Sequence, residues 1–313
     1  MKKKDVLYHG LFTALAIYLI FLMLKFPALA LEYASTGLQL WFVKMVPTLL
    51  PFMILSGIMI RMNLTENFVR LLHPFLHAVY GTSRNGSYTI VMGFLCGFPM
   101  GARIVGELYG EKKLSHEESV CLLSFCNNIG PIYFLSYVVP TLGIASPFLP
   151  FVIMYGIPLL YGVLLLRIQP LFHIGSGGKC SSRYVAGRPA PQSCSLLSAI
   201  DSSVLSGLVG IAKLGGYMVF FNLLNIAFQP FHRVTPVLLK VYRCLLEITS
   251  RIDYSGQSLY YAILILLPFG GFSCIAQTYS MIRQTDLPIR PYIFHKTVQT
   301  ALTAVCYLIV YFH

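Results

Sequence analysis

Residues 88–109 form a run long and apolar enough to enter a bilayer, yet its centre reads Gly93-Phe94-Leu95-Cys96-Gly97-Phe98-Pro99-Met100-Gly101-Ala102-Arg103. A straight helix does not survive that composition. Glycine loses the most conformational freedom on being ordered, and proline removes a donor and clashes with the preceding turn. In hydrocarbon every freed backbone group needs a partner, so such a break persists only where protein or a wet cavity surrounds it. The expectation is two half-helices with a tip near 97–101, entering and leaving on one side. Interruptions recur in other apolar runs. Pro47 and Pro51 fall within 38–60, Asn127-Asn128-Ile129-Gly130-Pro131 within 119–139, and Pro268-Phe269-Gly270-Gly271-Phe272-Ser273 within 259–282. The candidate helix breaks are therefore Pro51, Gly97, Pro99, Gly101, Gly130, Pro131, Gly270 and Gly271.

The composition fixes the solvent. Of 313 residues, 56% are hydrophobic and 11% charged, against roughly 25% charged in a soluble domain. This excludes a soluble enzyme, a disordered chain and a soluble nucleic-acid binder. It leaves room for about eight to ten membrane elements of some 20 residues each. The net charge of +12 reads chiefly as a loop bias toward the cytoplasmic side, with an anionic ligand as the other source. The eight cysteines include no C-x-x-C pair and read as small buried thiols rather than a disulfide framework or zinc site. Catalytic signatures such as H-E-x-x-H, G-x-S-x-G and a P-loop are absent from the sequence, so neither an enzyme, a metal nor a cofactor is expected.

The order of elements suggests a repeat. Residues 1–37 read as an N-terminal helix and loop. Ala28-Leu29-Ala30 fits a signal cleavage site, but the preceding run is long for one, which favours a retained helix. Residues 38–145 form a first unit: broken span, amphipathic stretch 61–86, hairpin, broken span. Residues 146–198 hold a clean span and a basic Gly/Ser/Pro-rich loop. Residues 199–313 repeat the order. Counting crossings from a cytoplasmic amino terminus makes the second unit start from the opposite side, so the units are inverted, as in many secondary transporters. The count puts Lys2, Lys3, Lys4, Arg61, Arg70, Arg84, Lys112, Lys113, Arg167, Lys179, Arg183 and Arg188 inside. It puts Arg233, Lys240, Arg243, Arg251, Arg283, Arg290 and Lys296 outside, a bias of the right sign.

The stretch GFLCGFPMGARIVGELYGEKKLSHEESVCLLSFCNNIGP, residues 93–131, resembles the nucleoside recognition or Gate domain family. More closely it resembles the sporulation integral membrane proteins of the YlbJ type. Its Gly-Phe-Pro-x-Gly-Ala-Arg tip and Ser-Phe-x-Asn-Asn-x-Gly-Pro break carry the likeness. The resemblance implies an all-α polytopic protein with two inverted repeats, broken helices and re-entrant hairpins, similar to concentrative nucleoside transporters. It further implies a transporter or permease for a small anionic metabolite in the cell or forespore membrane of a spore-forming bacterium, with dipicolinic acid the solute linked to the sporulation family. A nucleoside or other small-metabolite carrier, or a non-transporting structural protein of the spore envelope, are the alternatives. The implied partners are the small anion and the lipid bilayer, without nucleic acid. A homo-oligomer is compatible.

Broken helices expose donors and acceptors to a solute. Asn127 and Asn128 can both donate and accept at such a break. Arg103 suits a carboxylate by a bidentate contact, and Glu107, four residues on, either orients it or simply pairs with it. Lys213 is the corresponding cation of the second half, or a snorkelling residue. Ser273 and Gln277 sit at the second tip. These seven residues are the expected substrate site.

Overall fold

The computed structural model describes residues 3–168, 195–231, 236–248 and 257–312. The helices are α1 (Lys3–Lys25), α2 (Pro27–Leu40), α3 (Val46–Arg61), α4 (Thr65–Phe68), α5 (His73–Tyr80), α6 (Arg84–Cys96), α7 (Met100–Gly110), α8 (His116–Cys126), α9 (Pro131–Tyr133), α10 (Val139–Leu142) and α11 (Phe148–Val163). After the basic loop, which lies outside the described residues, come α12 (Leu196–Leu223), α13 (Pro236–Leu246), α14 (Gln257–Leu266), α15 (Gly271–Ile282) and α16 (Ile289–Phe312). Among the described residues there is no strand. Six helical stretches are long and apolar enough to cross a membrane: Pro27–Arg61, His116–Leu142, Phe148–Arg167, Leu196–Gln229, Tyr260–Ile282 and Ile289–Val310. Large apolar side chains such as Phe12, Phe42 and Leu197 point outward, as a hydrocarbon solvent permits.

The first of these stretches does not break at Pro51, which lies inside α3. Pro47 cannot donate to the Val43 carbonyl, and the helix widens there into one π turn, Trp41–Met45. The widened turn absorbs the defect upstream, and α3 continues through the second proline. Long α12 lies antiparallel along α2 and α3 on a seam of small residues. A Cβ on Gly37 would lie 2.8 Å from the Met218 carbonyl oxygen, and one on Gly57 2.9 Å from Ser203 Oγ. One on Gly215 would meet the Trp41 indole at 2.6 Å. The Trp41 Nε1–H donates to the Ile211 carbonyl at 2.7 Å.

Helices α6 and α7 form a helical hairpin with its tip at 97–99. Ser83 caps α6, its Oγ accepting from Gly86 N at 3.0 Å. Gly97, at φ +83°, ends that helix in a conformation open chiefly to glycine. The chain reverses and α7 packs along α6. The open ends of the two arms meet, since Asn85 Nδ2 donates to the Lys113 carbonyl at 3.4 Å.

The second interruption has a different form. Gly270 N donates to the Leu266 and Leu267 carbonyls at 3.3 and 3.1 Å, so the chain keeps turning in the same sense up to Gly270 (φ +75°). It bends and does not double back: α14 packs on α13 and α16, while α15 packs on α7, α12 and α13. The segment is a kinked crossing element rather than a copy of the first hairpin.

This corrects the assignment of sides. Gly106 on α7 lies against the Met281 carbonyl, with an added Cβ only 3.0 Å from it. The Tyr109 hydroxyl hydrogen-bonds the Asp286 carboxylate, holding that carboxyl below its ordinary range. Loops 111–115 and 283–288 therefore share one end of the molecule. Arg283 and Arg290 join Lys112 and Lys113 instead of lying opposite them, and the basic bias toward that end is steeper than crossing parity gave. Lys179, Arg183, Arg188, Arg233 and Arg251 lie outside the described residues.

Candidate functional site

The hairpin tip grips the interruption of the next span. Helix α8 stops at Cys126, Asn127 is non-helical (φ −108°, ψ 86°), and α9 restarts at Pro131. Both hairpin arms reach the last carbonyl of α8 through glycines. A Cβ on Gly93 or on Gly101 would lie 2.4 Å from the Cys126 oxygen. At the tip, Phe98 N donates to the Asn128 carbonyl at 2.6 Å. Ala102 N, one of the unpaired donors at the start of α7, donates to Asn127 Oδ1 at 3.3 Å.

Side chains satisfy the other groups freed by the break. Asn128 Nδ2 donates to the Phe125 carbonyl at 2.6 Å. Gln299 Nε2, from α16, donates to the Ser124 carbonyl at 2.9 Å. Tyr155 OH donates to the Ile129 carbonyl at 3.0 Å. Asn127 Nδ2 donates to Thr278 Oγ1 at 2.8 Å and to Tyr292 OH at 3.3 Å. The two asparagines thus have opposite attachments: Asn127 ties α7 to α15 and α16, and Asn128 folds back on α8.

One residue here was not expected. Lys296 is fully buried, and its ammonium donates to Asn128 Oδ1 and, at 3.2 Å, to Gln299 Oε1. Its nitrogen lies 5.4 Å from the Phe98 ring centroid and 6.0 Å from that of Tyr292. The parity count had placed it in an outer loop. A signal was available in the sequence. Tyr292, Lys296, Gln299 and Thr303 recur at helical spacing along a membrane-length segment, and all four are buried. A polar stripe on a membrane helix faces protein, not lipid.

The expected site divides. Arg103 is buried, but it faces α12. Its Nε pairs with Glu107 Oε1 at 2.9 Å and its Nη2 donates to Ser206 Oγ at 2.8 Å. A Cβ on Gly210 would touch its Nη1 at 2.8 Å. The Arg103–Glu107 pair therefore lies in the contact between α7 and α12 and shares no hydrogen-bond partner with the asparagines. Ser273 and Gln277 stay together, Gln277 Nε2 donating to Ser273 Oγ at 2.9 Å. Lys213 is exposed on α12 and drops out of the site. It lies on an outward face together with exposed Val209 and Gly216.

Beside the tip is a largely apolar cavity. Phe98, Ile129, Gly130, Cys274, Gln277 and Glu247 are among its walls. Glu247, just past α13, is fully buried. The Phe98 ring therefore has the cavity on one side and the Lys296 ammonium on another. Space for the ring comes from Gly270, where a Cβ would lie 2.8 Å from it.

Residues 42–155 match the family model Gate, described as nucleoside recognition. The match spans α3 to α11, including the hairpin and the broken α8. With the six apolar stretches, the picture is of a multi-pass integral membrane protein, a stretch of which is similar to the Gate family. The chain is similar to "Sporulation integral membrane protein YlbJ" of Bacillus subtilis (strain 168), 23% identical over 343 aligned residues, covering 94% of this chain and 81% of that protein. No solved structure matches it. The likeness read from residues 93–131 thus holds for both names.

Proposed function

We propose that this protein is a carrier or permease, not an enzyme, that moves a small anionic metabolite across a membrane during sporulation. The observation that carries the reading is the junction of the hairpin tip with broken α8. It is buried, polar and hydrogen-bonded, and it adjoins a cavity inside a molecule with an apolar exterior. A structure that only needed anchoring would gain nothing by interrupting helices in hydrocarbon. The sporulation assignment follows the relative's name. Dipicolinate is the solute favoured by the resemblance of the tip and break motifs, and the Gate description favours nucleosides as the second class. In this reading α6 and α7 form a re-entrant hairpin. Of the expected inversion of the halves, only the antiparallel run of α3 and α12 remains, since the second half has no matching hairpin and loops 111–115 and 283–288 share one end. The partners are the anion and the bilayer, in the cell or forespore membrane.

The test is flux through purified protein in proteoliposomes. Labelled dipicolinate enters faster than into empty vesicles, and nucleosides do not compete. Entry of neither solute class refutes the carrier. Entry of nucleoside alone transfers the assignment to that class.

A further inference from the structure

We propose that Lys296 is the fixed positive charge that receives the solute's carboxylate, and that the amide oxygens of Asn128 and Gln299 hold its ammonium until the solute arrives. This rests on the carrier reading and names the chemistry that the site selects.

The first ground is charge. The ion pairs among the described residues are Arg84–Glu66, Arg103–Glu107 and Lys113–Glu111. No described carboxylate lies within 4.0 Å of Lys296. A buried cation in a membrane protein is costly unless it is paired, and unpaired ones mark solute or ion paths. Arg103 has its carboxylate already. Lys296 has two neutral oxygens for three protons.

The second ground is orientation. Each of the two amides is fixed by its nitrogen, Asn128 to the Phe125 carbonyl and Gln299 to the Ser124 carbonyl. That leaves both amide oxygens turned to the ammonium. The lysine nitrogen is thereby held in place with no carboxylate partner of its own, which is the arrangement a solute carboxylate can exploit.

The third ground is access. The Phe98 ring lines the cavity and lies 5.4 Å from the Lys296 nitrogen, with Gly270 leaving room beside it. Displacement of one ring at the tip brings the ammonium to the cavity. The freed carbonyls of α8 point an oxygen-rich end at the same place, so an anion has no reason to enter without the lysine.

The probes are pyridine-2,6-dicarboxylate and its neutral analogue pyridine-2,6-dicarboxamide, titrated calorimetrically into protein in lipid nanodiscs. Wild type binds the dicarboxylate, and Lys296→Met weakens it by about tenfold to a hundredfold. The dicarboxamide shows no such dependence. Lys296→Arg retains part of the binding. Gln299→Glu supplies an internal carboxylate beside the ammonium at the cost of the bond to the Ser124 carbonyl; with its folding confirmed by thermal unfolding in the same nanodiscs, it loses dicarboxylate affinity to a similar extent. Unchanged dicarboxylate affinity in Gln299→Glu and in Lys296→Met overturns the proposal. Should Lys296→Met fail to fold, intact binding by folded Gln299→Glu overturns it alone. Wild-type flux of nucleoside without dicarboxylate binding also overturns it and leaves the carrier standing. Absence of all flux removes the carrier itself.

Discussion

Gly101→Ala tests whether the hairpin tip is seated on the break. The added Cβ would lie 2.4 Å from the Cys126 carbonyl oxygen and 3.0 Å from Asn127 Cα. Both are backbone atoms and neither can rotate away. Ordinary contact begins at 3.4 Å, so α7 must withdraw by about 1 Å, the difference of the two distances. Overpacking of this kind costs about 1–3 kcal/mol. The same withdrawal carries the Ala102 N to Asn127 Oδ1 bond, already 3.3 Å, out of range, for roughly 0.5–1.5 kcal/mol more. Exchange of glycine for alanine in a helix returns up to ~1 kcal/mol. The net loss is about 0.5–4 kcal/mol. Gly110→Ala is the control, because nothing lies within 4 Å of its Cβ. Thermal unfolding in one detergent, read by labelling of buried Cys126, compares the two. Gly101→Ala melts below wild type and below Gly110→Ala, and its solute flux falls. Equal melting of the two variants would refute the seating of the tip.

Glu107→Gln leaves a buried guanidinium with Ser206 as its remaining partner, whereas Arg103→Met with Glu107→Gln removes the charge altogether. The single variant therefore melts lower than the double variant, and the reverse order in a thermal-shift series would count against the pair. Cysteines placed at positions 112 and 284 label from the same side of sealed vesicles, because Tyr109 meets Asp286. At the surface end, burial first, then His77 and Arg84, push the His73 imidazole below 6.5, against the pull of Glu66. The unfolded chain then binds more protons just below 6.5. Stability from His73 is complete above that value and declines as pH falls through it. His73→Gln flattens the melting temperature between roughly pH 7 and pH 5.

The breaks that proved right are those written in local chemistry. Gly97 needs its positive φ, and Asn127 to Pro131 carry amides, a glycine and a proline in succession. Pro51 misled because a proline inside a helix removes one hydrogen bond without ending the helix, and here the helix runs through it from Val46 to Arg61. Residues 267–270 misled because glycine and proline announce a change of direction without its angle. The hydrogen bonds from Gly270 to Leu266 and Leu267 decide that it is a bend. Crossing parity inherits each such choice, which is how Arg283 and Arg290 came to the wrong end. Arg103 and Glu107 were legible as a pair from their spacing, but their partner helix was not, since Ser206 lies 103 positions away. Lys296 was visible only as part of a stripe, and taken singly it resembles any lysine near a helix end.

The seam between α3 and α12 has a mechanical consequence. Glycines on α2, α3 and α12 let the long helix lie close along the first two and the turn between them, and an added methyl at Gly37, Gly57 or Gly215 would collide. Such a contact has many small attractions and little room to slide. The pair behaves as a stiff rail. The hairpin tip is seated as closely, since a Cβ on Gly93 or Gly101 would lie 2.4 Å from the Cys126 oxygen. Rail and tip are therefore both jammed at the level of backbone on backbone, and a single methyl added to either is felt as a shift of a whole helix.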